Sequence, residues 1–293
     1  MARHYRPRRS MLYVPGSVPR YLEKARGLKV DALILDLEDP VLPDRKEDAR
    51  RNVAEAIRRG GFGYREIVVR VNALSTPWGR DDLAAVAPAG PHAILFPKIE
   101  SRQDVLDALE ALDAAGAPDM PIMVLIETPL GVLHAEEIAA ASERIACLVM
   151  GTSDLTNELH ARITQERTPL LHALSHCLLA ARAHGAAIVD GIHLDLMDMP
   201  SFEYACRLAR DLGFDGKSLI HPFQIPYAND AFSPRPASLE MARHIIAALA
   251  EANAAGRNVA VVDGRLVESL HVEAAKRTLM IHEMIEQMEA EEP

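Results

Sequence analysis

Eight short apolar segments limit the folds open to this chain more than any other feature of its sequence. They occupy residues 10–16, 32–40, 66–72, 93–100, 121–128, 145–155, 186–193 and 217–222. Most are continuously apolar rather than alternating, as is typical of parallel strands covered on both faces. The segments between them, such as residues 44–60 and 101–116, have the spacing of amphipathic helices. The pattern predicts the eight strand and helix repeats of a (β/α)8 TIM barrel.

A doubly wound parallel sheet is the competing architecture, because alternating strands and helices do not prove that a sheet closes. Polar residues at the carboxyl ends of the predicted strands favour the barrel, since a barrel gathers these ends on one face. These residues are Glu38, Asp39, Arg70, Asn72, Lys98, Glu100, Glu127, Asp154, Asp190 and His221. We therefore predict a TIM-barrel catalytic domain over residues 1–235.

The pattern changes after residue 235, where a Pro-rich stretch leads into an Ala-rich helix predicted over residues 237–255. The segment "VAVVDGRLV" follows, and its Asp263-Gly264 pair is typical of a tight hairpin turn. Residues 236–293 lie outside the eight repeats. They are predicted to form a helical lid or an oligomerisation extension.

Charge and cysteine content limit the partners and the location of the protein. The formal charge of −10 argues against a general nucleic-acid or membrane surface, and no apolar run is long enough to span a bilayer. The basic segment "ARHYRPRR", residues 2–9, is either a solvated leader or a phosphate contact. Cys147, Cys177 and Cys206 form no Cys-x-x-Cys pair, which indicates reduced thiols and a cytoplasmic protein.

Two carboxylates end successive predicted strands. Glu127 follows five apolar residues, where an unpaired charge would be costly, and Asp154 ends the next segment. Such a pair suits Mg²⁺, which takes one or two carboxylates and fills its remaining positions with water and substrate oxygens. The alternative is that each acid is an ordinary strand end paired with Arg or Lys.

Two cations lie on neighbouring predicted strands. The planar guanidinium of Arg70 suits a substrate carboxylate, although a structural ion pair is the alternative. Lys98 is expected to balance the nearby acids. Glu100 is predicted to share its strand face and to keep it protonated, which argues against a Schiff-base role.

The run "DLED" places Asp36, Glu38 and Asp39 around a single leucine. Three carboxylates this close require nearby cations. We expect them to brace Arg70 and Lys98 behind the metal site, with a metal-bound water as the alternative partner.

Seven motifs occur in order: "RRSMLYVPG", "ALILDLEDPVLPDRKEDAR", "VVRVN", "FPKIES", "LIETPLG", "MGTSDL" and "GFDGKSLIHPFQI". Together they resemble the citrate lyase β-subunit-like family of the phosphoenolpyruvate/pyruvate superfamily, which includes malyl-CoA, citramalyl-CoA and citryl-CoA lyases. The similarity runs from Arg8 to Ile225 and continues weakly to about Glu268.

The resemblance implies a TIM barrel in which Glu127 and Asp154 hold Mg²⁺ and Arg70 binds the carboxylate of an oxo acid. It implies reversible carbon-carbon cleavage of a β-hydroxyacyl-CoA into an acyl-CoA and an oxo acid. It also implies a homo-oligomer, a trimer or a hexamer, with a lid from a neighbouring subunit.

For the CoA side, the resemblance implies contacts by Arg8, Arg9 and Pro222. The family lid carries a catalytic Asp in "DGKMID", whereas this chain reads "DGRLVES" and has Glu268 at that position. Glu268 is therefore the expected acid or base, although it reaches one methylene further.

Two other functions compete with the lyase. One is a metal-dependent aldolase that cleaves a free 4-hydroxy-2-oxo acid without CoA. The other is a non-catalytic subunit of a lyase complex, against which the retention of Arg70, Glu127 and Asp154 argues.

Overall fold

Eight parallel strands close into a barrel in the computed structural model, which describes residues 6–291. They are β1 Ser10–Pro15, β2 Ala32–Asp36, β3 Glu66–Arg70, β4 Ala93–Phe96, β5 Ile122–Ile126, β6 Ile145–Met150, β7 Ala187–Asp190 and β8 Gly216–Leu219. Each strand pairs with its neighbours in sequence, and β8 pairs with β1 where Lys217 lies opposite Ser10. The predicted TIM barrel is confirmed, and the closing pair excludes the open doubly wound sheet.

Helices follow the strands and cover the outside of the barrel. They are α1 Pro19–Ala25, α2 Lys46–Arg59, α3 Gly79–Val86, α4 Arg102–Ala114, α5 Pro129–Leu133, α6 Ala135–Ala139, α7 Thr152–Glu158, α8 Leu171–Ala183, α9 Met199–Leu212 and α10 Ile225–Phe232. Helix α4 shows why they begin where they do. Its first turn is capped by the Ser101 hydroxyl, which accepts a hydrogen bond from the Asp104 backbone N–H at 3.2 Å.

The barrel buries apolar residues in two layers, which explains why its strands are continuously apolar. Ile34 and Val68 belong to the cluster that fills the barrel interior. Leu33 and Leu35 belong to the layer between the barrel and its helices. The three cysteines are buried and free, as expected of reduced thiols.

Strand register determines which polar residues reach the mouth of the barrel. Asp36 and Arg70 end β2 and β3 and lie directly opposite each other. Both follow interior residues, Ile34 and Val68, by two positions, so both point to the interior side. The carboxyl ends of β2 and β3 therefore carry a carboxylate and a guanidinium side by side.

A second compact unit begins at Ser233, whereas the sequence pattern predicted the boundary after residue 235. It contains α11 Pro236–Ala254, β9 Ala260–Val262, β10 Arg265–Val267 and α12 Ser269–Ala290. The two strands pair antiparallel, as the hairpin signature predicted. Their turn places Asp263 and Gly264 at φ values of 47° and 74°, as a type I′ turn requires.

No helix within residues 6–291 combines the length and the apolar character needed to cross a membrane.

Candidate active site

A cavity of about 440 Å³ opens at the carboxyl ends of the barrel strands. Its polar lining includes Tyr13, Asp36, Asp39, Arg70, Glu127 and Asp154. Five of these six residues were candidates from the sequence. Tyr13 was not, although its position two residues after the interior Met11 indicates that it points the same way.

Glu127 and Asp154 reach the cavity from the segments that follow successive strands, β5 and β6. Glu127 is the first residue after β5 and is 3% exposed, and Asp154 lies in the first turn of α7. Gly151 lies against Glu127 so closely that a Cβ on this glycine would come within 2.2 Å of the Glu127 Cβ. Any larger residue at position 151 would therefore displace the Glu127 side chain.

Lys98 links the two carboxylates. Its Nζ lies 2.5 Å from Asp154 Oδ2 and 3.5 Å from Glu127 Oε1. Its backbone N–H, turned by a left-handed φ of 53°, donates to Glu127 Oε1 at 2.9 Å. Strand β4 ends before Lys98, so these acids, rather than the predicted Glu100, keep the amine protonated. Burial lowers the pKa of Lys98, but the Asp154 hydrogen bond and the Glu127 charge outweigh it and raise the pKa.

The charge balance at this pair fits a divalent cation. Burial raises the pKa of Glu127 to about 8, and the charge of Lys98 only partly opposes this rise. A cation shared by Glu127 and Asp154 would supply the missing positive charge. Within the described residues, no three His, Cys, Asp or Glu side chains form a metal-binding group. The pair of carboxylates suits Mg²⁺, which takes one or two and leaves its other positions to water and substrate oxygens.

Arg70 lies at the centre of the acids of the "DLED" run. Its Nε and Nη2 donate to the two oxygens of Asp36 at 2.8 and 2.6 Å. Its Nη1 lies 2.7 Å from Glu38 Oε2 and donates to Asp39 Oδ2 at 3.3 Å. All three acids thus contact Arg70, and none of them forms an ion pair with Lys98 among the contacts of the described residues.

Comparison with known proteins agrees with this geometry. The family model for HpcH/HpaI aldolase/citrate lyase matches residues 9–222. The chain belongs to the HpcH/HpaI aldolase/citrate lyase family. A (3S)-malyl-CoA thioesterase of Cereibacter sphaeroides is 48% identical over 285 residues, covering 97% of this chain and 98% of that protein. A citrate lyase subunit beta of Haemophilus influenzae is 37% identical, covering 93% of this chain and 96% of that protein.

Solved structures of this enzyme family share the fold. The CitE protein of Mycobacterium tuberculosis, in complex with magnesium, acetoacetate and coenzyme A, superposes with a TM-score of 0.77. It is 30% identical, covering 96% of this chain and 99% of the solved one. The citrate lyase beta subunit of the same organism, with oxaloacetate and magnesium, gives a TM-score of 0.67 at 32% identity over 78% of this chain and 98% of that one.

Two residues that were expected to contact CoA lie at the amino-terminal end of the barrel, whereas the cavity lies at the carboxyl-terminal end. Arg8 donates to both oxygens of Glu66 at 2.6 and 2.8 Å, and Arg9 pairs in the same way with Asp31. Both arginines precede β1 and are at most 5% exposed. They stabilise the amino-terminal end of the barrel, opposite the cavity, so the prediction for them was wrong. Residues 2–5 of the basic segment lie outside the described residues.

Pro222 lies at the same end of the barrel as the cavity. It is exposed and opens the short turn after β8, where the His221 ring accepts a hydrogen bond from the Phe223 N–H at 3.3 Å. His221 therefore caps this turn, and Pro222 stays a candidate for the CoA side.

Glu268 belongs to the second compact unit. It is the N-cap of α12, where its side chain accepts a backbone hydrogen bond and its own N–H donates to His271 Nδ1 at 3.1 Å. Its catalytic role stays a prediction.

Asp190 ends β7, yet it does not line the cavity. Arg167 donates to its two oxygens at 2.7 and 2.6 Å, and Lys217 donates to it at 2.5 Å. Lys217 lies in β8 with 1% exposure. A lysine inside an apolar strand was the sequence signal that Asp190 had a buried partner.

Proposed function

We propose that this chain is a Mg²⁺-dependent enzyme that hydrolyses the thioester of a β-hydroxyacyl-CoA of the (3S)-malyl-CoA type. One observation carries the proposal: Glu127 and Asp154 share a cavity with Arg70, which pairs a metal-binding edge with a carboxylate-binding group. The identity to a malyl-CoA thioesterase over nearly the whole of both chains supports this substrate class.

Each residue has a chemical task in this proposal. Glu127 and Asp154 would hold Mg²⁺, which supplies a Lewis acid for the carboxylate and hydroxyl oxygens of the substrate. Lys98 already contacts both acids and keeps a positive charge beside them. Because Lys98 stays protonated, it orients the pair rather than acting as a nucleophile.

Arg70 would bind the free carboxylate of the substrate. Asp36 occupies its Nε and Nη2, whereas Nη1 is shared between Glu38, at 2.7 Å, and the more weakly held Asp39. The Asp39 side chain is 71% exposed and accepts from Nη1 at 3.3 Å, the longest contact of the cluster. A substrate carboxylate would displace this contact more readily than the buried bidentate pair.

Carbon-carbon cleavage is the second candidate, and it is the reaction expected from the sequence. The similarity to citrate lyase beta subunits and the oxo acid in a related solved structure favour it. Both reactions would bind the hydroxy acid part of the substrate in the same way, through Mg²⁺ and Arg70. They differ in whether a water or the substrate hydroxyl loses its proton. Glu268, in place of the family's lid Asp, is the departure that favours altered chemistry.

The two remaining alternatives are weaker. An aldolase for free 4-hydroxy-2-oxo acids would not need CoA. One relative is a (3S)-malyl-CoA thioesterase, and the CitE protein of Mycobacterium tuberculosis was solved in complex with coenzyme A. A non-catalytic subunit would not need the complete set of Arg70, Glu127 and Asp154.

The full chain incubated with (3S)-malyl-CoA and Mg²⁺ tests the proposal. Hydrolysis would release malate and free CoA, measured by a thiol reagent and by mass spectrometry, and EDTA would stop it. Acetyl-CoA and glyoxylate as the products would establish the lyase instead. Turnover of a free 4-hydroxy-2-oxo acid, with none of the thioester, would favour the aldolase.

We also propose a cytoplasmic homo-oligomer, a trimer or a hexamer, in which the second unit acts as a lid on a neighbouring subunit. Light scattering coupled to size exclusion would give the number of subunits. A monomer at micromolar concentration would contradict this assembly.

A further inference from the structure

Four carboxylates line the cavity and already have a task, and a fifth, Glu38, contacts Arg70 beside them. Asp36 uses both oxygens on Arg70, and Asp39 accepts from the same guanidinium. Glu127 and Asp154 form the proposed metal pair. Glu38 is left: its buried Oε2 lies 2.7 Å from Arg70 Nη1 in an ion pair but forms no hydrogen bond within residues 6–291.

We propose that Glu38 is the general base of this site, the group that takes a proton from the water attacking the thioester carbonyl. The inference rests on the proposed function, and it names a residue to which only a bracing role was assigned from the sequence. A general base needs an oxygen free to accept a proton and a fixed position beside the substrate.

The backbone holds Glu38 in place. Lys46 donates from Nζ to the carbonyl oxygens of Leu37 and Glu38, both at 2.8 Å, and to Asn72 Oδ1 at 2.7 Å. These three bonds fix the turn that follows β2. The Glu38 side chain is 12% exposed and lies 2.7 Å from Arg70 Nη1, the nitrogen that would meet the substrate carboxylate.

The charges around Glu38 come from several elements. They are Tyr13 of β1, Arg70 of β3, Lys98 after β4, Lys46 of α2, and Asp36 and Asp39 on its own segment. Its charge also acts on Glu127, beyond the end of β5. Burial raises the pKa of Glu38 to about 7, Arg70 opposes the rise and Asp39 adds to it. A carboxyl group with this pKa exchanges protons near neutral pH, which supports the geometric argument.

The step balances without a further reagent. Glu38 accepts one proton from water, and the resulting hydroxide attacks the thioester carbon and forms a carbon-oxygen bond. The tetrahedral intermediate collapses with cleavage of the carbon-sulfur bond. The proton on Glu38 then passes to the leaving thiolate, which gives the free acid and CoA-SH and restores the base.

The decisive variant is Glu38→Gln, which keeps the shape and removes the base. With (3S)-malyl-CoA and Mg²⁺, kcat should fall by about 10²- to 10⁴-fold. KM and the Mg²⁺ affinity measured by calorimetry should change by less than about threefold. Wild-type kcat should rise with pH through an ascending limb at or below about pH 7, and this limb should be absent in the variant.

Glu38→Asp should restore part of the rate. Glu47→Gln, an exposed acid on α2, is the matched control and should keep wild-type kcat.

Three results would overturn the inference: wild-type kcat in Glu38→Gln, an unchanged pH profile, or a loss of Mg²⁺ binding equal to the loss of rate. Failure of the proposed function would differ from these, because it would appear in the wild-type protein as acetyl-CoA and glyoxylate instead of malate and CoA. In that case, a normal cleavage rate in Glu38→Gln would still exclude Glu38 as the base.

Discussion

Two charged clusters at the ends of barrel strands differ in the balance of their charges. Arg70 is one cation in contact with three acids, Asp36, Glu38 and Asp39. Asp190 is one acid held by two cations, Arg167 and Lys217. Arg70, Asp36 and Asp39 of the first cluster line the cavity, and the acids of this cluster outnumber its cation. The second is closed within the protein, and its single acid is fully satisfied.

The titration of the two clusters follows this difference. Burial alone would raise the pKa of Asp190, but Arg167 and Lys217 outweigh it and lower the pKa to about 2. Around Arg70 the cation is shared, so burial prevails and the pKa of Glu38 rises to about 7. A buried cluster that lacks positive charge is costly unless a ligand completes it. The excess of acid around Arg70 fits a site completed by a cation such as the proposed Mg²⁺, and the balance around Asp190 fits a structural support.

The largest effect is expected from removing the proposed metal pair. Glu127→Ala and Asp154→Ala should each lower Mg²⁺-dependent turnover at least 10⁴-fold, equal to about 5 kcal/mol of transition-state stabilisation. The fold should stay intact or become slightly more stable, since either change relieves repulsion between acids. Kinetic assays with calorimetric Mg²⁺ titration would measure both effects. Wild-type turnover in both variants would contradict the metal assignment.

The next largest effect is expected in the balanced cluster. Asp190→Asn removes the single acid and leaves Arg167 and Lys217 without their charge partner, so the free energy of unfolding should fall by about 3–5 kcal/mol. Urea unfolding followed by circular dichroism would measure it. The control is Asp113→Asn, which breaks the half-exposed pair with Arg144 and should cost less than about 1 kcal/mol. Equal losses in the two variants would remove the distinction between the clusters.

The sequence predicted the residues at strand ends better than their partners. Glu127, Asp154 and Arg70 were found because apolar runs mark the strands, and a barrel brings their carboxyl ends together. The prediction that Glu100 pairs with Lys98 was wrong. Lys98 lies beyond β4 in a left-handed conformation, which turns it toward Glu127 and Asp154. Apolar periodicity carries no information about such a turn.

Position along a strand explains the other error. Arg8 and Arg9 precede β1, so strand direction alone places them at the amino-terminal end of the barrel, away from the cavity. The bonds of Lys46 to the "DLED" turn were not predictable, because they join a helix and two strand ends through contacts that no local pattern specifies.

Acid should weaken the balanced cluster in a defined range. The pKa of Asp190 is about 2 in the folded protein, below its usual value of 3.8, so the unfolded chain binds the proton more readily. Asp190 thus stabilises the fold above about pH 4, and this contribution, roughly 2–3 kcal/mol, is lost as the pH falls toward 2. Urea unfolding at several pH values, compared between wild type and Asp190→Asn, would measure it. A difference between the two proteins that stays constant from pH 5 to pH 2.5 would contradict the shift.

The smallest effect is expected from Glu38→Gln on stability, and it has the opposite sign. The folded pKa of Glu38 is about 7, above the value of 4.5 expected for the unfolded chain, so ionised Glu38 destabilises the fold as the pH rises through this range. Without metal, Glu38→Gln should be neutral at pH 5 and stabilising by up to about 1 kcal/mol at pH 8. Urea unfolding in EDTA at both pH values would measure it. A loss above about 1 kcal/mol at pH 8 would show that the contact with Arg70 supports the fold, and the two clusters would then differ less than their charges indicate.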